Sequence, residues 1–214
     1  MQLLLCAATR FEIEPAISFI KRENLLNVEL LITGIGPMAA AYAITQSVMR
    51  NRPQFILQAG VAGCLDENLP LTRIVLVENE IAGDLGVVQH ERFHSLFDLG
   101  LVGRNDPPWK EGKLSNNVAA LKLAGLTVVD GVTVNEISTS AQRIQYYRKL
   151  GASIESMEGA ALHYLGLSEK IPFLQMRSLS NFVGERNKAK WMMAEAINSL
   201  NFELQRLLIK FLRS

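Results

Sequence analysis

The chain has 214 residues, nearly half of them apolar and a fifth charged, with a formal net charge of +1. A chain of this length suits one domain that buries ~70% of its unfolded surface. Its neutral balance, without a dense Lys/Arg run, argues against nucleic acid or an anionic membrane as a partner, and no run of about 18 apolar residues predicts a membrane span.

The opening MQLLLCAATRFEIEP has no basic segment ahead of its apolar run, so no signal peptide is expected. LLLCAAT predicts a strand and FEIEPAISFIKRE a helix with Phe11, Ile17 and Ile20 near one face. VELLITGIG is a second strand, and PMAAAYAITQSVMRNR a helix opened by Pro37 and stopped before Pro53. QFILQAG, RIVLVENEI and LTVVDGVTV are short β-rich runs bounded by turn residues. Residues 100–117 form the only long irregular stretch, expected as a surface loop or lid. SAQRIQYYRKLG is helical, SIESME is a strand entering the helix GAALHYLGLSEK, and PFLQMRSLS is a strand. A long amphipathic helix over 188–213 closes the chain. Nothing divides this order, so residues 1–214 are expected as a single α/β domain, with a mixed or mostly parallel sheet flanked by helices. Cys6 and Cys64 lie in apolar or glycine-rich settings and read as buried reduced thiols, which points to the cytoplasm.

Two motifs promise more than they hold. HERFH, His90 to His94, fits H-E-x-x-H, whose histidines bind zinc from one helix face. A third ligand is lacking: Glu111 lies in a stretch broken by proline and glycine, and His163 in an apolar helix pattern. A polar loop near a substrate entrance is the preferred reading, and no metal is expected. TGIGPMAA resembles a dinucleotide fingerprint, but the following strand ends in LQAGVAG without the acid that would hold a ribose. Its glycines are expected to serve a tight turn and close packing, and no cofactor is expected.

Glu12, the Glu155/Glu158 pair around Met157, and RSLSN (Arg177 to Asn181) all fall at predicted strand ends, where open α/β sheets gather ligand groups. Each alone has an ordinary reading: a first-turn glutamate, a helix-start acid and a turn residue. In order, Ala8 to Glu12, GIGPMAAA, GVAG, SMEGAA and RSLSN resemble the nucleoside phosphorylase/nucleosidase superfamily over almost the whole chain. SMEGAA and its spacing to RSLSN are the most specific parts. GVTVNEIS and ERFHSLFDLGL also have counterparts in the superfamily's futalosine hydrolase branch.

The resemblance implies one α/β domain around a twisted mixed sheet, a homodimer or larger homo-oligomer, and a small-molecule nucleoside substrate. It further implies hydrolysis of an N-glycosidic bond, with hypoxanthine leaving futalosine in menaquinone biosynthesis. Glu12 would activate water, and Glu158 would hold the ribose hydroxyls and stabilise an oxocarbenium-like transition state. Met157 would pack on the sugar, and Thr133, Val134 and Asn135 would lie near the base. Asn181 stands where adenine-cleaving relatives carry aspartate, and its amide suits a 6-oxopurine. Phosphorylases hold phosphate with an arginine and a serine where this chain has Gln58 and Val61, so water is the expected nucleophile, with Val61 against the substrate. Arg10 or Arg177 could reach the site instead. Glu155, shifted by one place from the usual glutamate, is expected to face away. The alternatives are a 5′-methylthioadenosine/S-adenosylhomocysteine nucleosidase, a purine nucleoside phosphorylase and a non-catalytic nucleoside binder. Retention of both Glu12 and Glu158 argues against the last.

Overall fold

The computed structural model describes residues 1–116 and 119–213. Strands β1 (Leu3–Ala7) and β2 (Val28–Ile32) flank helix α1 (Arg10–Arg22), and α2 (Pro37–Arg50) leads into the long β3 (Phe55–Cys64). After β4 (Ile74–Ala82) come the hairpin strands β5 (Gly86–Gln89) and β6 (Arg92–Ser95), then the short β7 (Leu114–Ser115) and α3 (Ala119–Ala124). The remainder is β8 (Thr127–Thr133), α4 (Ala141–Lys149), β9 (Ile154–Ser156), α5 (Gly159–Ser168), β10 (Phe173–Phe182) and α6 (Met193–Arg213).

β1 pairs in parallel with both β2 and β3. β3 then reaches past β1, and its Gly63 and Cys64 pair antiparallel with β9. β9 runs parallel to β8, β8 parallel to β4, and β4 antiparallel to β10, which returns in parallel to β3. The sheet is mixed, as expected, and five of its strands close into a ring. The length of β3 allows this: its first half serves β1 and its second half serves β9.

Every residue of β1 is buried, because helices cover both faces of the sheet. Leu3 and Leu5 join α1 and α6 residues such as Ile13, Ile17, Leu200 and Leu204 on one side. Leu4 and Cys6 face Ile44 of α2 and Leu162 of α5 on the other, following the period of two along a strand. Cys6 and Cys64 are free, buried thiols, and burial pushes them up to about 12 and about 11.

One expectation needs correction, and another gains detail. HERFH is a hairpin: His90 and Glu91 form its two-residue turn at φ +48° and +63°, and Gln89 pairs with Arg92. The histidines therefore share no helix face, and the stretch is neither a helical zinc motif nor a plain loop. The 100–117 segment, whose Asn117 lies outside the described residues, is docked rather than free as far as residue 116. Trp109 packs edge-on against Phe97 and Tyr164 of α5, with ring centroids 5.1 and 6.0 Å apart, and Asn116 N–H donates to the Glu78 carbonyl at 2.7 Å. Among the described residues no helix is long and apolar enough to cross a membrane.

Candidate active site

Glu12 sits in the first turn of α1, buried with 8% exposure. Thr9, the N-cap residue, donates its backbone N–H and its hydroxyl to Glu12 Oε2 at 3.0 and 2.9 Å, a capping box that fixes the carboxylate. The other oxygen, Oε1, accepts the Val61 N–H at 3.1 Å. Pro15 interrupts the helix just beyond, and Ile13 leaves helical geometry at φ −124°, ψ 15°. The gap is bridged from α6. Asn201 Nδ2 donates to the Glu12 carbonyl at 2.8 Å, and Asn201 Oδ1 accepts from Ala16 N–H at 3.0 Å. One amide thus replaces the bond a straight helix would form between Ala16 and Glu12.

Glu158 ends the turn after β9 and is buried, with 5% exposure. Its Oε1 accepts the Gly36 N–H at 3.0 Å, so the glycine turn resembling a dinucleotide fingerprint binds this carboxylate instead. Its Oε2 faces Arg177 Nη1 at 3.5 Å, an ion pair whose arginine is 1% exposed. Arg177 Nη2 donates to Gln58 Oε1 at 2.9 Å. Arg177 Nη1 and Glu12 Oε1 meet over Gly60, at 2.5 and 2.9 Å from where its Cβ would stand, so any side chain at this position would expel them. Two carboxylates from distant parts of the chain therefore flank one buried guanidinium. Arg10, the other candidate cation, is exposed and pairs with Glu14.

The remaining expected residues divide. Met157 precedes Glu158 and is half-buried beside it. Asn181 lies across from Gly63 of β3, after a bulge in which Leu179 pairs with Ala62 and Ser180 is the extra residue. The Ser180 hydroxyl donates to Asn181 Oδ1 at 2.9 Å, and Asn181 Nδ2 donates to the Phe182 carbonyl at 3.0 Å. Val61 contributes its backbone N–H, as described. Thr133 is buried, with its hydroxyl committed to Glu80 and Ala160. Val134 is fully buried, and its N–H donates to the Ser156 carbonyl at 3.0 Å. Asn135 is exposed and tied to Asp84 through its backbone N–H at 2.6 Å and side-chain amide at 3.1 Å. Glu155 accepts from Ser138 N–H at 3.0 Å, and burial raises its carboxyl.

The sequence reading assigned no role to Asn201, Glu80 or His163 in this region. Glu80 is fully buried in β4, and burial pushes its carboxyl to about 7. His163 is fully buried in α5, with Nδ1 3.0 Å from the Leu114 carbonyl, and burial lowers it to about 4.

The closed mixed sheet flanked by helices matches a known class. The chain belongs to the phosphorylase superfamily, whose family profile matches residues 19–213. Within it, the chain is similar to the futalosine hydrolase of Thermus thermophilus, 32% identical over 192 residues, 83% of this chain and 80% of that protein. It is also similar to the 5′-methylthioadenosine/S-adenosylhomocysteine nucleosidase of Maridesulfovibrio salexigens, 26% identical over 77% of this chain and 72% of the relative. Among solved structures, the futalosine hydrolase of Helicobacter pylori superposes with a TM-score of 0.80 at 16% identity, covering 97% of each chain. A Helicobacter pylori MTAN mutant with 5′-methylthioadenosine in its active site superposes with a TM-score of 0.81 at 16% identity, covering 98% of each. The two structures share the fold of this chain.

Proposed function

We propose that this chain hydrolyses the N-glycosidic bond of futalosine, releasing hypoxanthine and dehypoxanthine futalosine in menaquinone biosynthesis. The observation that carries the reading is the pair Glu12 and Glu158 around Arg177, on the strand segment where a phosphorylase would hold phosphate. Gln58 is engaged with Arg177, and Val61 offers only its N–H to Glu12. Neither side chain supplies a charged fork for phosphate, and the Arg177 guanidinium is engaged with Glu158 and Gln58, which supports water as the nucleophile.

Glu12, oriented by Thr9 and Val61, takes the proton of the attacking water. Glu158 accepts hydrogen bonds from the ribose hydroxyls and stabilises the positive charge of the oxocarbenium-like transition state. Met157 packs its thioether against the sugar. Asn181, whose amide keeps one N–H and one oxygen lone pair beyond its bonds to Phe182 and Ser180, meets the 6-oxopurine as it leaves. Thr133, Val134 and Asn135 form the wall beside the base through packing and backbone rather than through free side chains.

A nucleosidase for 5′-methylthioadenosine or S-adenosylhomocysteine is the second reading, favoured by the Maridesulfovibrio relative and opposed by Asn181. The protein works in the cytoplasm as a homo-oligomer, a reading supported by its free thiols and by the apolar face of α2 with Met38, Tyr42 and Met49 exposed.

The test is base release in phosphate-free buffer with EDTA. Futalosine, inosine, 5′-methylthioadenosine and S-adenosylhomocysteine are followed in parallel by chromatography. Hypoxanthine from futalosine is expected, reduced at least ~100-fold in Glu12→Gln. Adenine release would overturn the reading of Asn181, and activity that appears only with added phosphate would overturn hydrolysis.

A further inference from the structure

Glu158 is the N-cap residue of α5, yet its side chain caps nothing in that helix. Its carboxylate is turned away toward Gly36 and Arg177. A helix N-terminus leaves unpaired N–H groups that a cap must satisfy, and one carboxylate cannot serve them while facing a substrate. The cap here comes from another element. Thr133 Oγ1, at the end of β8, accepts the Ala160 N–H at 2.8 Å. Having accepted there, the hydroxyl points its own proton at Glu80 Oε1, 2.9 Å away.

The register of β4 and β8 explains the meeting. Glu80 pairs with Gly131 and Ala82 with Thr133, so Glu80 and Thr133 are diagonal neighbours on one face. Glu80 also lies directly beneath the helix start. A Cβ on Gly159 would fall 2.5 Å from Glu80 Oε2, and one on Gly131 2.7 Å from it. The glycine after Glu158 is what lets α5 settle onto this carboxylate.

We propose that Thr133 and Glu80 form a surrogate N-cap for α5, which releases Glu158 from capping and holds it toward the ribose. Both are positioning residues, and their catalytic consequence rests on the role given to Glu158 above. Thr133→Val keeps the side-chain shape and removes the hydroxyl. It lowers kcat/KM for futalosine about five- to tenfold, the scale of a lost cap, and Thr133→Ser restores most of it. In a Glu158→Gln background the same Thr133→Val change costs less than about twofold, because its effect travels through Glu158.

Amide hydrogen exchange of the unliganded protein supplies a readout free of turnover. Exchange at Ala160 and Ala161 accelerates in Thr133→Val and in Glu80→Leu, and slows again in Thr133→Ser. Unchanged exchange in Thr133→Val overturns the cap. An equal loss of kcat/KM in both backgrounds overturns the link to Glu158. If the wild type releases no base, the functional reading falls, while the exchange data still decide the cap.

Discussion

Glu80 and His163 are both fully buried, and their titrations oppose each other. Glu80 keeps its proton in the fold up to about 7, against 4.5 for an ordinary glutamate, because burial disfavours its charge. Between those values folding takes up a proton, so stability falls as pH rises, by ~1.4 kcal/mol per unit. His163 stays neutral in the fold down to about 4, against 6.5 when free, so its contribution falls as pH drops through that window. The slopes cancel where the windows overlap, from 4.5 to 6.5. Glu80→Gln removes one side of the balance. Urea unfolding is expected to show the variant losing ~2 kcal/mol relative to wild type between about pH 6.5 and pH 5. Parallel curves would refute the assignment. Arg177 gives a second case: Arg177→Met strands Glu158 without its buried cation and should cost about 3–5 kcal/mol in the same experiment. Glu12 and Glu158 were legible because each sits in a family motif. Glu80 was not, since nothing in RIVLVENEI tells which face of the strand the start of α5 will cover.

At the scale of elements, α1 shows how a local defect becomes a support. Pro15 breaks the helix one turn after Glu12, and the Asn201 amide spans the break. Asn201→Leu leaves the Glu12 carbonyl and the Ala16 N–H buried without that partner, at about 1–3 kcal/mol each. Stability should fall by about 2–6 kcal/mol in urea, with a drop in kcat from a loosened base; loss of neither would refute the support. The proline was visible in the sequence. The Asn201 amide, 185 residues from the Ala16 N–H it accepts, was not. The hairpin at HERFH was misjudged for a related reason. His90 and Glu91 occupy the left-handed region usually held by Asn or Gly, so the turn lacked its common residue signal. The bulge before Asn181 left no mark in PFLQMRSLS either, because a bulge is set by the partner strand.

For the molecule as a whole, the alternation of strands and helices was readable because each element carries its own period and stop signals. Closure of the sheet was not, since β4 with β10 and β3 with β9 pair antiparallel across long stretches of chain. The same packing governs access to Cys6 and Cys64, which end as buried, poorly ionised thiols on neighbouring strands of the sheet. A disulfide reagent such as DTNB attacks thiolates it can touch, so in native buffer neither cysteine should react within minutes, and both should react in urea. Rapid labelling of one without denaturant would reveal a local opening that these strands do not suggest. Where labelling is slow, its rate counts how often the strands part. The chain thus carries its own stopwatch for the breathing of its core, with no residue to change.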